Sequence, residues 1–163
     1  MNLLLLRHGD AERHASSDFA RKLTDKGRAQ SAAVGSFLRR LDIRPDVIVT
    51  SPLARAVETA TAALENLKTK IPLIEDERLA CGMAPNLAFE LIREQEKASC
   101  IMLVGHEPDF SGLAAALTGM GASLNIEMKK ASCACFDLDM PGHSCATLKW
   151  LVPHKLISTL AGE

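Results

Sequence analysis

A chain of 163 residues is long enough to bury its own core, and it reads as one domain over residues 1–163. Its 19 basic and 20 acidic side chains leave a net charge of −1, and no basic run exceeds a pair. That gives no electrostatic case for a nucleic acid or an anionic membrane as partner. Five cysteines, an odd number, with no basic region ahead of the first apolar run, imply a reducing, cytoplasmic setting.

The first element is an unbroken apolar run, Leu3 to Leu6, leading into Arg7-His8-Gly9. A short run without alternation predicts a strand buried on both faces. Residues 10–22 are polar, with Asp10, Glu12, Asp18 and Arg21, and predict a loop able to fold over the end of that strand. Thr24 is the expected N-cap of a helix over 25–41. Its apolar stripe is Ala33, Phe37 and Leu41, widened by Val34 and Leu38, with Arg28, Ser31, Arg39 and Arg40 off it. A second short strand is expected over 47–49. Ser51 should cap the next helix, with Pro52 at its first position and Leu53, Val57, Ala60 and Leu64 buried. Residues 71–74 predict a third strand and 86–97 a helix with Leu87, Phe89 and Leu91 inward. A fourth strand over 100–104 leads into Gly105-His106-Glu107-Pro108. A helix follows to about 118, with Phe110, Leu113 and Leu117 inward and Gly119 as C-cap.

The last third changes rhythm. Residues 132–138 and 145–151 alternate about a Met140-Pro141-Gly142-His143 turn, which predicts a hairpin with Ala146, Leu148 and Trp150 on one face. Pro153 can open a short final helix, and 120–131 carries no clear signal. Successive strand–helix units predict an α/β fold. It is a three-layer α/β/α arrangement with a mainly parallel central sheet and a C-terminal antiparallel hairpin.

Polar groups recur where apolar strands stop: Arg7 and His8, Arg55, and His106. Ligands in open α/β sheets bind beyond the carboxyl ends of the strands. Arg55 falls in the first turn of a helix, where the dipole disfavours a cation unless an anion lies beside it. A phosphoryl group in transfer spreads negative charge over its oxygens, and arginine forks suit that geometry. Arg7 and Arg55 supply two forks and Arg21 a possible third. The Gly9 backbone allows close approach of the anion. His8 is the expected nucleophile, and His106, held protonated by the anion, the expected donor to a phosphoryl oxygen. Fixed positive charge is sufficient without Mg²⁺, so no cofactor and no metal are expected. Taken singly, Arg55 also fits a surface helix, Arg21 a solvated loop and His106 a turn bonded to backbone.

LLLLRHGDAE, DFARKLTDKGRAQ, VIVTSPLARAVETA and LVGHEPDF together resemble the histidine phosphatase superfamily, with its phosphoglycerate-mutase-like fold. More narrowly they resemble the small SixA-type phosphohistidine phosphatases. The resemblance runs from residue 3 to residue 110. It implies catalytic Arg7, His8, Arg55 and His106, with Arg7, Gly9, Arg21, Arg55 and His106 binding substrate. The implied partner is a phosphohistidine-bearing protein or a small phosphorylated molecule. Residues 77–85, ERLACGMAP, lack the acid-bearing pattern of larger members, so the general acid is open, with Glu77 and Asp18 as candidates for acid or orienting group. Two other readings stand beside this one. A small-molecule phosphomonoesterase would use the same site. The other is a binding module, either zinc-stabilised through Cys133, Cys135, His143 and Cys145, against the usual C-x-x-C spacing, or one that holds phosphoryl groups at the same site without turning them over.

Overall fold

Leu3, Leu4, Leu5 and Leu6 are completely buried, alternating between the two faces of one sheet. The computed structural model describes residues 1–119 and 126–161. Strand β1 (Asn2–Arg7) lies inside a six-stranded sheet with β2 (Val47–Thr50), β3 (Leu73–Glu75), β4 (Cys100–Gly105), β5 (Cys133–Leu138) and β6 (Ala146–Val152). The order is β3-β2-β4-β1-β5-β6. The first four strands run parallel, while β5 and β6 are the antiparallel hairpin. Helices α1 (Asp25–Arg40), α2 (Ala54–Leu67) and α5 (His154–Ala161) pack on the face of Leu4 and Leu6. Helices α3 (Pro85–Glu94) and α4 (Asp109–Thr118) cover the face of Leu3 and Leu5. The three-layer α/β/α architecture is the one the sequence predicts.

Local departures have physical causes. Helix α2 begins at Ala54, two residues after the expected Pro52, with Leu53 in the cap position. Ser51 is held back by the sheet, since its N–H donates to Val104 O at 2.9 Å. The buried stripe of α2 is Ala56, Ala60, Ala63 and Leu67 rather than one through Val57 and Leu64. Small residues let α1 and α2 meet closely: a Cβ on Gly35 would run into Ala63 O. Ser31 is wholly buried, because Gly9 packs against the same turn of α1. Leu41 caps α1 and is half exposed. Strand β3 and helix α3 sit slightly displaced from the expected 71–74 and 86–97. In the hairpin, a register shift between Cys135 and Phe136 pairs Cys135 with Trp150 but Phe136 with Leu148. That bulge turns Trp150 to the α1 face, edge-on to Phe37, while Ala146 and Leu148 stay on the other. Of the segment 120–131, residues 120–125 lie outside the described residues.

Two glycines predict opposite outcomes. A Cβ on Gly27 would strike the Asp10 carbonyl, whereas one on Gly112 meets nothing within 4 Å. Urea unfolding should show Gly27→Ala destabilised by about 1–3 kcal/mol. Gly112→Ala should instead be stabilised by roughly 0.5–1 kcal/mol, from helix propensity.

Candidate active site

Parallel pairing of β1 with β4 puts Arg7 opposite Gly105, and the His8 N–H donates to Gly105 O at 3.0 Å. The next residue on each strand is a histidine. Their ring centroids lie 5.2 Å apart, tilted by 55°. Nδ1 of His8 is 2.7 Å from Gly9 O. A carbonyl only accepts, so Nδ1 carries the proton and Nε2 keeps its lone pair. Burial, with the charges of Arg55, Arg7 and Lys130, pushes the His8 pKa down to about 4. The ring is therefore a neutral base at physiological pH.

His106 is 2% exposed, and its Nε2 lies 2.8 Å from Ser51 Oγ. Burial first, then His8 and Arg55, push its pKa down to about 3. The protein's own groups thus hold the ring neutral, and the protonation expected of His106 depends on the charge of an anion.

Arg55 stands in the first turn of α2 and is 4% exposed. Its fork is occupied by the loop that covers the strand ends. Nη1 donates to Asp18 O at 2.7 Å and Nη2 to Asp18 Oδ2 at 2.9 Å. Nη2 also reaches Cys81 Sγ at 3.4 Å. Arg21 joins the cluster through the same carboxylate, Nη1 to Asp18 Oδ1 at 2.8 Å, and anchors to Glu12 O at 2.6 Å. Hydrogen bonds from Arg21 and Arg55 hold the Asp18 carboxyl below its usual range. It is an anion at neutral pH, which suits an orienting group and not a proton donor. The Arg55 turn is tied back to β1, since Thr59 Oγ1 donates to Arg55 O and accepts from the Gly9 N–H.

Arg7 donates through Nη1 to Met128 O at 2.8 Å, and its buried Nε makes no hydrogen bond. Burial lowers its pKa, opposed by Glu107 and Glu127. Glu107, immediately after His106, is a group sequence reasoning missed. It is half-buried, with Ser111 Oγ at 2.8 and 2.7 Å from its two oxygens, and burial raises its pKa. The signal was in LVGHEPDF, a carboxylate directly behind a strand-end histidine. Glu77 is exposed at the start of a single 3-10 turn, and the neighbouring Asp76–Arg78–Glu94 ion pairs do not include it.

The zinc alternative does not assemble. Cys133 and Cys135 lie in the core, His143 packs edge-on to Phe89, and Cys145 donates to Gly142 O. Among the described residues no group of three or more His, Cys, Asp or Glu could hold a metal ion, and no helix is long and apolar enough to cross a membrane.

Residues 3–80 match the family model described as histidine phosphatase superfamily (branch 1). That stretch, just under half of the chain, is similar to the histidine phosphatase superfamily. A 2,3-bisphosphoglycerate-dependent phosphoglycerate mutase of Corynebacterium jeikeium is 40% identical over 83 residues, 48% of this chain and 33% of that enzyme. The match thus spans about a third of such relatives. The fold extends over nearly the whole chain. The protein histidine phosphatase SixA complexed with tungstate superposes with a TM-score of 0.87 at 21% identity, covering 96% of this chain and 99% of that one. A putative α-ribazole-5′-P phosphatase of Escherichia coli gives 0.76 at 20% identity, covering 94% and 97%.

Both site histidines are held neutral by burial, which links the site to stability. Unfolded histidine titrates near 6.5, so the unfolded chain takes up protons first as pH falls. Stability is full above that pH and is lost as pH drops toward about 4 for His8 and about 3 for His106. In phosphate-free buffer the urea midpoint of wild type should fall between pH 7 and 5, by at most about 1.4 kcal/mol per pH unit per histidine. The double variant His8→Gln/His106→Gln should show a shallower fall, and equal slopes would show the rings are not buried as neutral groups.

Proposed function

We propose that this chain is a metal-independent phosphatase that carries the phosphoryl group on His8, with protein phosphohistidine as its substrate. The observation that carries this reading is the His8 ring, whose Nδ1–H is fixed on Gly9 O so that a neutral Nε2 is free to attack. In the first step the Nε2 lone pair forms a bond to phosphorus. The bond from phosphorus to the leaving nitrogen or oxygen breaks, and its electron pair leaves with that atom, which takes a proton. In the second step water attacks phosphorus, the N–P bond breaks, the pair returns to Nε2, and one proton is released to solvent. In this reading Arg7, the N–H of His106 and Arg55, once Asp18 gives way, donate to the phosphoryl oxygens, which is where preorganised charge has most effect. Arg21 acts through Asp18 on Arg55. Five free thiols accord with a cytoplasmic setting.

The leaving group favours phosphohistidine. An imidazole departs readily, whereas an alkoxide needs a proton from a positioned acid. Asp18 is ionised and Glu77 lies off the cluster, so neither fills that role. A second reading rests on Glu107: a half-buried carboxyl with a raised pKa is a candidate donor, and with it a small phosphate ester becomes a fit substrate. Rates over a series of phosphate esters separate the two. Under the first reading they fall steeply as the leaving group's pKa rises, and Glu107→Gln slows phosphohistidine and alkyl phosphates by the same factor, through Arg7. A Glu107→Gln loss confined to alkyl phosphates would establish the phosphomonoesterase.

Direct tests of the site follow from the same roles. His8→Ala should remain folded and lose turnover, and quenched wild type should hold acid-labile, base-stable phosphate on His8. Label recovered on serine or cysteine would reject the nucleophile. Arg7→Ala and Arg55→Ala should each cost on the order of 10²-fold in rate. Arg55→Lys should recover only part of that, because an ammonium cannot make the two-pronged contact.

A further inference from the structure

Beside the His8 cluster lies a groove of about 430 Å³, lined by Asp10, Lys26, Gln30, Lys129, Lys130, Pro153, His154 and Lys155. Its lysines come from three separate elements. Lys26 is in the first turn of α1, Lys155 in the first turn of α5, and Lys129 and Lys130 on the segment entering β5. This last segment is also a wall of the phosphoryl site. Arg7 Nη1 donates to Met128 O, and the Ala131 N–H approaches Arg7 O and His8 O at 3.2 and 3.1 Å. Lys130 is close enough for its charge to act on His8. The groove therefore shares a wall with the segment that packs on the backbone of Arg7 and His8.

The charges around it do not cancel. Four lysines face one lining carboxylate in a chain whose net charge is −1. That carboxylate, Asp10, is already satisfied by Lys130 Nζ at 2.7 Å and Thr24 Oγ1 at 2.9 Å. Nearby Asp25 is taken up by Arg28 at 2.9 Å, and exposed Glu127 lies 3.7 Å from Lys129 Nζ. Lys26, Lys129 and Lys155 all present exposed ammonium groups. Exposed lysines are mobile, strongly hydrated point charges, unlike the rigid arginine forks of the inner site. Spread over three elements, they suit a row of carboxylates on a protein better than one tightly held phosphate.

We propose that this groove docks an acidic segment of the phosphoprotein substrate, presenting its phosphohistidine to His8. The inference rests on the protein-phosphohistidine reading and adds the chemistry of the surface that delivers it. Docking of this kind acts on encounter and is screened by salt.

The test uses the full chain and the charge-reversal variant Lys26→Glu/Lys129→Glu/Lys155→Glu, which leaves Lys130 and the inner site intact. On a phosphohistidine-bearing protein, kcat/KM should fall on the order of 10-fold or more at low salt, with the gap closing as salt rises. On a small phosphoramidate the variant should match wild type. A short polyglutamate peptide should bind wild type by calorimetry and fail to bind the variant. Equal loss on both substrates, or no loss on the protein, would overturn the docking role. So would a loss seen only with a small bisphosphorylated molecule, which would make the groove a second-phosphate pocket. If wild type dephosphorylates no phosphohistidine protein, the proposed function fails. Polyglutamate binding still decides the groove: binding abolished in the variant supports an acidic docking surface, and no binding to wild type removes it.

Discussion

Everything in the site hangs on the register between β1 and β4. Pairing Arg7 with Gly105 aligns the two strand ends to the residue, so that the histidine following each strand comes to the same height. A shift of one residue would send every side chain of β1 to the opposite face. Leu3 and Leu5 would exchange cores with Leu4 and Leu6, and the His8 ring would lose His106. The hydrophobic runs that make the strands insoluble alone are thus the devices that position the chemistry. Arg55 is brought in by the same logic: β2 pairs with β4 from Val47 to Thr50, and α2 begins four residues after that strand ends.

Burying this much polar function costs free energy unless each group is bonded. The candidate site meets that requirement with short-range partners. Gly9 O takes the His8 proton, Ser51 holds His106, Thr59 links the Arg55 turn to Gly9, and Asp18 fills the Arg55 fork. Two atoms stand out against this pattern, Nε of Arg7 and Nδ1 of His106, both buried and without a hydrogen bond. They belong to the residues expected to face the phosphoryl oxygens, where an unmatched donor is a resource.

The architecture and the four inner residues were legible because they depend on patterns the chain states locally. Unbroken apolar runs announce buried strands, and a cation or imidazole at the end of such a run has few structural excuses. What stayed illegible depends on pairing across the fold. Trp150 changed face because Lys149 is an extra, unpaired residue of β6, and only the pairing with β5 shows where such a bulge falls. Ser51 failed to start α2 because a carbonyl of β4 held it. Glu107 was passed over because a carboxylate in a turn is ordinarily solvated, and only burial by α4 and the Met128 segment makes it otherwise. Asp18 was named as an acid or an orienting group, and the two arginines that decide between those roles come from other parts of the chain.

The Asp18 clamp has a consequence for any anion that reaches Arg55. Asp18 occupies both prongs of the Arg55 fork, its backbone carbonyl accepting from Nη1 and its carboxylate from Nη2. An anion approaching Arg55 must therefore compete with a carboxylate tethered beside it by the covering loop. Anything held there is opposed by a rival that never diffuses away. An incoming anion must bring extra binding energy from elsewhere on its carrier to displace that rival.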